Sequence, residues 1–153
     1  MTYHTGTNAS SRTTYGHVRY RWIEDLWANV YDWCDGIYFS SSNVYAIKNP
    51  SSYSDSSGGT RVGTRPTTSN CIKAWSLSSV SGFEWFMYPS EVVSDSSYAT
   101  YVCDYCDYYS SGVVLCVGGY YYQFQGRGLF YLYGGNAASG TGSSAGSRLQ
   151  KLP

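Results

Sequence analysis

Charge is what this chain has least of. Only 13% of its residues are charged, ten Lys and Arg balance ten Asp and Glu, and the two histidines, His4 and His17, sit near the start. Phosphate binding needs a cationic footprint, so a nucleic-acid partner is excluded as the expected role. A balanced charge also gives no long-range steering toward an acidic or basic partner. Long apolar runs are missing too. The longest aliphatic stretch, Val113-Val114-Leu115 extended by Cys116-Val117, falls far short of the roughly 20 residues a helical bilayer span needs, and no membrane insertion is expected. Met1-Thr2-Tyr3-His4 offers neither a basic n-region nor an apolar h-region. No signal peptide is therefore expected, and the chain is read as cytoplasmic when made or as a fragment of something longer.

What is abundant is tyrosine. Aromatic residues reach 18%, made of 18 Tyr, 5 Trp and 5 Phe in 153 residues. The length suits one domain with a real core. A buried phenol needs a hydrogen-bond partner, so many tyrosines are expected to reach the surface. Tyr mixed with Ser, Gly and Asn is the composition of antibody paratopes, in which rigid rings give contact area and small residues adapt. Disordered chains are poor in aromatics, which argues against disorder. The five cysteines, Cys34, Cys71, Cys103, Cys106 and Cys116, cannot all pair. Cys103-Asp104-Tyr105-Cys106 has CxxC spacing, but no second pair or nearby His completes a zinc site, and a turn-like Tyr108-Tyr109-Ser110-Ser111-Gly112 follows where a redox motif would open a helix. The cysteines are expected to be small buried hydrophobes, and neither a metal nor another cofactor is expected.

Along the chain, residues 1–14 read as a loose leader and 15–153 as one domain. Arg19, Trp22, Ile23, Leu26, Trp27, Val30 and Cys34 recur at three- and four-residue steps, which predicts a helix stopped by Gly36. Ile37-Tyr38-Phe39 and Val44-Tyr45-Ala46-Ile47 predict two short strands joined through residues 40–43. Residues 49–70, rich in Ser, Gly, Thr and Pro, predict a long surface loop. Further strands are expected at Ile72–Leu77, at Phe83–Tyr88 ending at Pro89, at Val113–Val117 buried on both faces, and at Leu129–Tyr133. One helix followed by short strands and long loops predicts an α+β fold with a short antiparallel sheet.

Ten of the 18 tyrosines fall between Tyr98 and Tyr133, and residues 134–147 are almost wholly Gly, Ser, Ala and Thr. Apolar sequence brackets that stretch on both sides, so it reads as a loop anchored at both ends rather than a free linker. Three segments, WCDGIYF (33–39), VLCVGGYYYQFQGRGLFYLYGGNAAS (114–139) and GSRL (146–149), resemble the variable proteins of diversity-generating retroelements. The prophage-borne forms of gut Firmicutes are the nearest likeness, and the resemblance covers about Tyr20 to Pro153. It implies a C-type-lectin-like fold, shared in outline with formylglycine-generating enzymes. The GNVWEWC, GG-x-W and GFR landmarks of those enzymes are echoed by LWANVYDWCDG (26–36), Gly118-Gly119 and Gly146-Ser147-Arg148.

In that family a reverse transcriptase copies a template with errors at adenines and rewrites the 3′ end of the gene. Asn codons are the usual targets, and from them Lys, Gln, Glu, Met and Trp are not reached. None of these five types occurs from Gly126 to Leu149. The resemblance thus implies a variable region of about 118–149 whose ligand-binding positions are Tyr120, Tyr122, Phe124, Gly126, Arg127, Tyr133, Gly135, Asn136, Gly140, Gly142, Ser144 and Ala145. Affinity is expected to rest on Tyr120, Tyr122, Phe124, Arg127 and Tyr133, residue types common in hot spots. Gln123 and Gln125 are expected to be constant. Gly119, Gly128, Leu129, Phe130, Leu132 and Arg148 are expected to be framework, with Arg148 in a buried ion pair. The function implied is a hypervariable adhesin at a phage tail-fibre tip or on a bacterial surface, binding a protein or glycan receptor and trimeric within a fibre.

Three rivals stand beside it. A formylglycine-generating-enzyme-like catalyst would use the C-terminal cysteines, but no general base clusters with them in sequence, and no enzyme is expected. A calcium-dependent lectin would need carboxylates around its proline, whereas Lys48-Asn49-Pro50 and Tyr88-Pro89-Ser90-Glu91 supply few. A metal-free carbohydrate-binding module using aromatic platforms remains open. A purely structural virion protein would share the scaffold without needing a Tyr-decorated face.

Overall fold

The computed structural model describes residues 19–20, 23–24, 30–93, 104–108, 114–120 and 128–146. Eleven strands run through them: β1 (Arg19–Tyr20), β2 (Ile23–Glu24), β3 (Tyr31–Ser40), β4 (Asn43–Ala46), β5 (Thr60–Thr64), β6 (Asn70–Leu77), β7 (Met87–Val92), β8 (Tyr105–Tyr108), β9 (Val114–Val117), β10 (Leu132–Asn136) and β11 (Ala145–Gly146). β1 and β2 form a small antiparallel pair. The other nine build one sheet in the order β5-β4-β3-β9-β10-β8-β6-β7, with β11 beside β3. Pairing is antiparallel except for β8 with β10 and β3 with β11.

This sheet is nearly closed on itself, barrel-like. Its two end strands meet where the Tyr88 ring of β7 lies on Gly63 of β5, at 2.5–2.8 Å from the point a Cβ would occupy. A side chain at residue 63 would push that ring away, so the seam depends on glycine. Pro89 lies inside β7 rather than ending a strand before it. Proline donates nothing to a ladder and is tolerated on an edge strand, which β7 is.

The α+β expectation is overturned, and with it the C-type-lectin-like, formylglycine-generating-enzyme-like architecture that the resemblance implied. The fold is almost entirely β. Among the described residues the sole helical segment is a 3₁₀ turn, Pro50–Ser52. Of the helix expected across residues 19–34, the described residues form β1, β2 and the first part of β3, while Trp22, Leu26 and Trp27 lie outside the described residues. Over Tyr31–Cys34 the residues are Tyr, Asp, Trp and Cys, none a strong helix former. Tyr31–Ser40 instead finds partners on both sides, β9 and β4, and non-local pairing overrides a short-range period. Gly36 is not a helix stop. It sits at φ +77° inside β3, at the register shift between Cys34 and Tyr38, and acts as the pivot of a bulge.

Smaller revisions follow the same logic. Residues 49–70 hold a real strand, β5, whose Val62 is buried in the core. Phe83–Phe86 forms consecutive turns, Phe83 N–H to Val80 O at 2.9 Å and Phe86 N–H to Phe83 O at 2.8 Å, so that both rings point into the core. β7 begins only at Met87. The last strong strand starts at Leu132 and not at Leu129, because residues 128–130 make a turn. The strands expected at 37–39, 44–47, 72–77 and 113–117 are present, with shifted ends.

Alternation along β9 explains the layering. Leu115 and Val117 join a core of Phe39, Val44, Ile72, Phe83, Phe86 and Tyr108, while Cys116 faces a second cluster with Tyr31 and Tyr131. The central strand is thus covered on both faces, as its unbroken apolar run predicts. Arg65 closes one end of the main core. Its guanidinium lies 4.6 Å from the Tyr108 ring centre and 5.8 Å from that of Phe39, and its Nε donates to Ser41 O at 3.0 Å. Stacking on aromatic faces lets a buried cation keep favourable contacts.

Candidate functional site

The small-residue stretch after β10 is a tethered loop. β10 anchors its start against β9 and β8. β11 anchors its end against β3, and Tyr31 N–H donates to Ser144 O at 2.7 Å. Between these, Gly140 N–H bonds Ala137 O at 2.9 Å and Ala145 N–H bonds Gly142 O at 3.3 Å, two local turns that fix the backbone without side chains. Residues 137–143 are all exposed. Positions differ in what they tolerate. A Cβ on Gly140 would come 2.9 Å from Ala137 O, whereas Gly142 has only the Ser144 hydroxyl at 3.8 Å.

Beneath the loop lies a stack of tyrosines. Tyr31 is parallel to Tyr133 (6° between planes, 5.0 Å between centres), and Tyr120 packs tilted on the same ring at 4.9 Å. Tyr131 is fully buried, and its hydroxyl donates to Asp107 Oδ2 at 2.7 Å. Burial raises its pKa well above the usual phenol range, with the Tyr31 and Asp107 contacts adding to the effect. Tyr108 is also buried, and its ring meets Phe39 edge-on. The expectation of rings splayed over solvent is therefore corrected at these positions. Tyr120 and Tyr133 are half-buried and pack on Tyr31, whose backbone N–H ties the end of the loop. The buried phenols of Tyr31 and Tyr131 meet across strands at 3.5 Å, and the Tyr38 hydroxyl accepts from Gly59 N–H at 3.2 Å.

Of the twelve expected contact positions, Gly140 and Gly142 are exposed, and Tyr120, Tyr133, Gly135, Asn136, Ser144 and Ala145 are half-buried around the same strand ends. The Asn136 side-chain amide reaches Cys116 Sγ at 3.5 Å. Tyr122, Phe124, Gly126 and Arg127 lie outside the described residues, as do Gln123, Gln125, Arg148, Cys103 and the leader 1–14. Of the expected framework, Gly119 is buried, but Leu129 and Phe130 are about half exposed at a turn. That turn is held by the buried Asp104 carboxylate, which accepts from Gly128 N–H at 2.6 Å and Phe130 N–H at 2.7 Å.

Beside the loop opens a groove of about 330 Å³. Ala138 forms its loop-side rim, and Trp33 reaches under that rim, its Cη2 lying 3.7 Å from where a Gly140 Cβ would be. Tyr53 and Asp55 form the far wall, with Asp35 and Gly36 contributed by the β3 bulge between. Tyr53 is placed by the 3₁₀ turn. Asn49 Oδ1 accepts from Ser51 N–H at 3.1 Å and from its hydroxyl at 2.8 Å, and the Tyr53 ring lies on Gly36, 2.5–2.8 Å from its missing Cβ. The sequence reading missed this wall, because Trp33 and Asp35 were assigned to a helix end and Tyr53 to an undifferentiated loop. An aromatic residue alone among Ser, Gly and Asp was the available signal.

The thiols lie inside the fold. Cys71, Cys106 and Cys116 have no exposed surface, and among the described residues Cys34, Cys106 and Cys116 form no disulfide. Burial pushes the pKa of both Cys34 and Cys106 up to about 12; at Cys34, Cys116 and the Asp32 and Asp35 carboxylates add to it. Burial also raises that of Cys116. Cys71, Cys106 and Cys116 are buried as the small hydrophobes expected, Cys34 is half-buried, and Cys103 lies outside the described residues. The chain matches no known protein family, no curated protein and no solved structure.

Proposed function

We propose that this chain is a non-enzymatic receptor-binding domain, an adhesin of the phage tail-fibre or bacterial-surface kind, whose contact face is the 137–144 loop with the adjoining groove. Its receptor is a protein or glycan on a bacterial cell. The observation that carries this reading is the division of labour at that end of the sheet. The loop is exposed and built of small residues, yet both of its ends are hydrogen-bonded into strands over a tyrosine stack. Side chains can change identity there at little cost, since surface substitutions away from special contacts are usually worth under about 0.5 kcal/mol. Rewriting of this segment by a retroelement is the corresponding source of variation, and a near-copy of the gene's 3′ end differing opposite adenines is its genetic signature. Protonated, buried thiols favour binding over cysteine chemistry.

The test is a small panel of Thr141, Gly142 and Ser143 changed singly and together to Tyr, scored for melting temperature and for adhesion across bacterial strains. Melting points within about 2 °C of the parent, with altered strain preference, are expected. Unchanged adhesion across the whole panel would remove the loop from the contact face.

A further inference from the structure

The groove beside the loop has a chemistry of its own. Trp33 and Tyr53 supply two aromatic surfaces, and Asp35 and Asp55 supply two carboxylates. Among the described residues neither carboxylate has a hydrogen-bond or ion-pair partner, and no Lys, Arg or His lines the groove. Its only charged side chains are the two carboxylates, and the Trp33 indole N–H with the Tyr53 and Ser54 hydroxyls are its polar neutral groups. The Ser54 oxygen accepts from Ser56 N–H at 3.3 Å and Ser57 N–H at 3.2 Å, which fixes the turn carrying Asp55. The same wall is preset at Tyr53 as well, by the Asn49-held 3₁₀ turn and by the fit of its ring on Gly36.

A site with two carboxylates, two aromatic side chains and no cationic residue discriminates among ligands by charge. Anions are repelled by the two carboxylates. A neutral sugar can hydrogen-bond the carboxylates but leaves their negative charge uncompensated. An ammonium group is a pure cation that needs carboxylates and ring faces and nothing else. From this complementarity we infer that the groove binds an alkylammonium head, either quaternary or the primary amine of a lysine-like chain. The inference rests on the reading of this end of the domain as its ligand-binding face, and gives that face a ligand class. At about 330 Å³ the groove holds such a head with a short stem. Because its carboxylates are exposed, a dissociation constant on the order of 1 mM for the isolated head is expected, weakening with salt.

The experiment is a titration of the full chain by calorimetry and by the Trp33 indole NMR signal. Choline is compared with dimethylbutanol, its uncharged carbon isostere, and with butylammonium as the lysine mimic; glucose is a further arm. Choline or butylammonium is expected to bind at least about tenfold more tightly than the isostere, and the stronger of the two identifies the source. The D35N/D55N double variant, altered only at exposed side chains, is expected to lose about tenfold while keeping its melting temperature. Equal binding of choline and its isostere would overturn the inference, as would glucose binding in place of either amine or no binding at all. The comparison of choline with its isostere on the unaltered chain needs no variant, so a folding defect cannot obscure it. Adhesion to cells without amine binding would sink the ligand class and leave the receptor-binding role standing. Amine binding without adhesion would do the reverse.

Discussion

Removing the Asp104 carboxylate is the most direct probe of how this scaffold holds its exposed turns. The side chain is buried, 9% exposed, and accepts two backbone N–H groups, from Gly128 at 2.6 Å and Phe130 at 2.7 Å. Its own carbonyl accepts Ile72 N–H at 3.1 Å. One residue thereby ties β6, β8 and the turn that leads into β10, which are neighbours in the sheet. A hydrogen bond to a charged group contributes about 1.5–3 kcal/mol. Losing two gives a ceiling near 6 kcal/mol, and water reaching the half-exposed turn returns part of it. Asp104→Ala is therefore expected to cost about 3–5 kcal/mol, a large share of the roughly 5–15 kcal/mol a domain usually has. At about 2–4 °C per kcal/mol for this size, the melting point drops by roughly 10–15 °C. Asp104→Asn keeps the shape but turns an NH₂ donor toward an N–H donor, so a loss of about 2–3 kcal/mol is expected. Urea unfolding followed by tryptophan fluorescence measures both. Trp75 reports locally, its ring lying edge-on to Phe130 at 6.3 Å. A cost below about 1 kcal/mol for Asp104→Ala would refute the account of the turn as carboxylate-held.

Two further outcomes follow from the geometry. The Cys34 and Cys106 thiols ionise near 12 when folded and near the ordinary thiol value, about 8.5–9, when unfolded. The folded state keeps protons that the unfolded state gives up, so stability is complete below about pH 9 and falls as pH rises toward 12, by roughly 1.4 kcal/mol per pH unit for each thiol. The urea midpoint measured against pH shows this, and Cys106→Ala is expected to make the fall shallower; a midpoint flat over that window would contradict it. Gly36→Ala must place a Cβ at φ +77° and into the Tyr53 ring. The backbone penalty alone is about 1–2 kcal/mol, and displacement of Tyr53 is expected to open the groove and abolish choline binding. A variant of parental stability with intact binding would show that the bulge does not need glycine.

The legible parts of this protein were those where local pattern and final pairing agree. β9 announced itself, since an apolar run bounded by glycines fits a strand covered on both faces, and the structure buries Val114, Leu115 and Cys116. The hairpin of β3 and β4 was visible through Ile37-Tyr38-Phe39, the serine turn and Val44-Tyr45-Ala46. Illegible was anything settled by a distant partner. The first half of β3 carries a helical period, but Trp33 and Cys34 pair with Cys116 and Leu115 some eighty residues away. Of the site, the loop and its tethering were readable from small residues between apolar anchors. Which tyrosines face inward was not, because composition counts phenols without revealing that Asp107 waits opposite Tyr131. The groove was hidden for the same reason: Trp33, Tyr53 and Ala138 meet only after β3, the 3₁₀ turn and the β10–β11 loop are brought to one place.

By itself, then, the sequence determined a weakly charged, tyrosine-rich chain with short apolar strands, buried thiols and a glycine–serine loop anchored at both ends. These are consequences of residue chemistry that hold in any packing. Tertiary structure alone decided that residues 31–34 extend instead of coiling, that the sheet curls until Tyr88 meets Gly63, and which rings lie beneath the loop rather than on it. Strand pairing is a contest among remote partners, and its outcome depends on the whole set of side chains that can be buried at once.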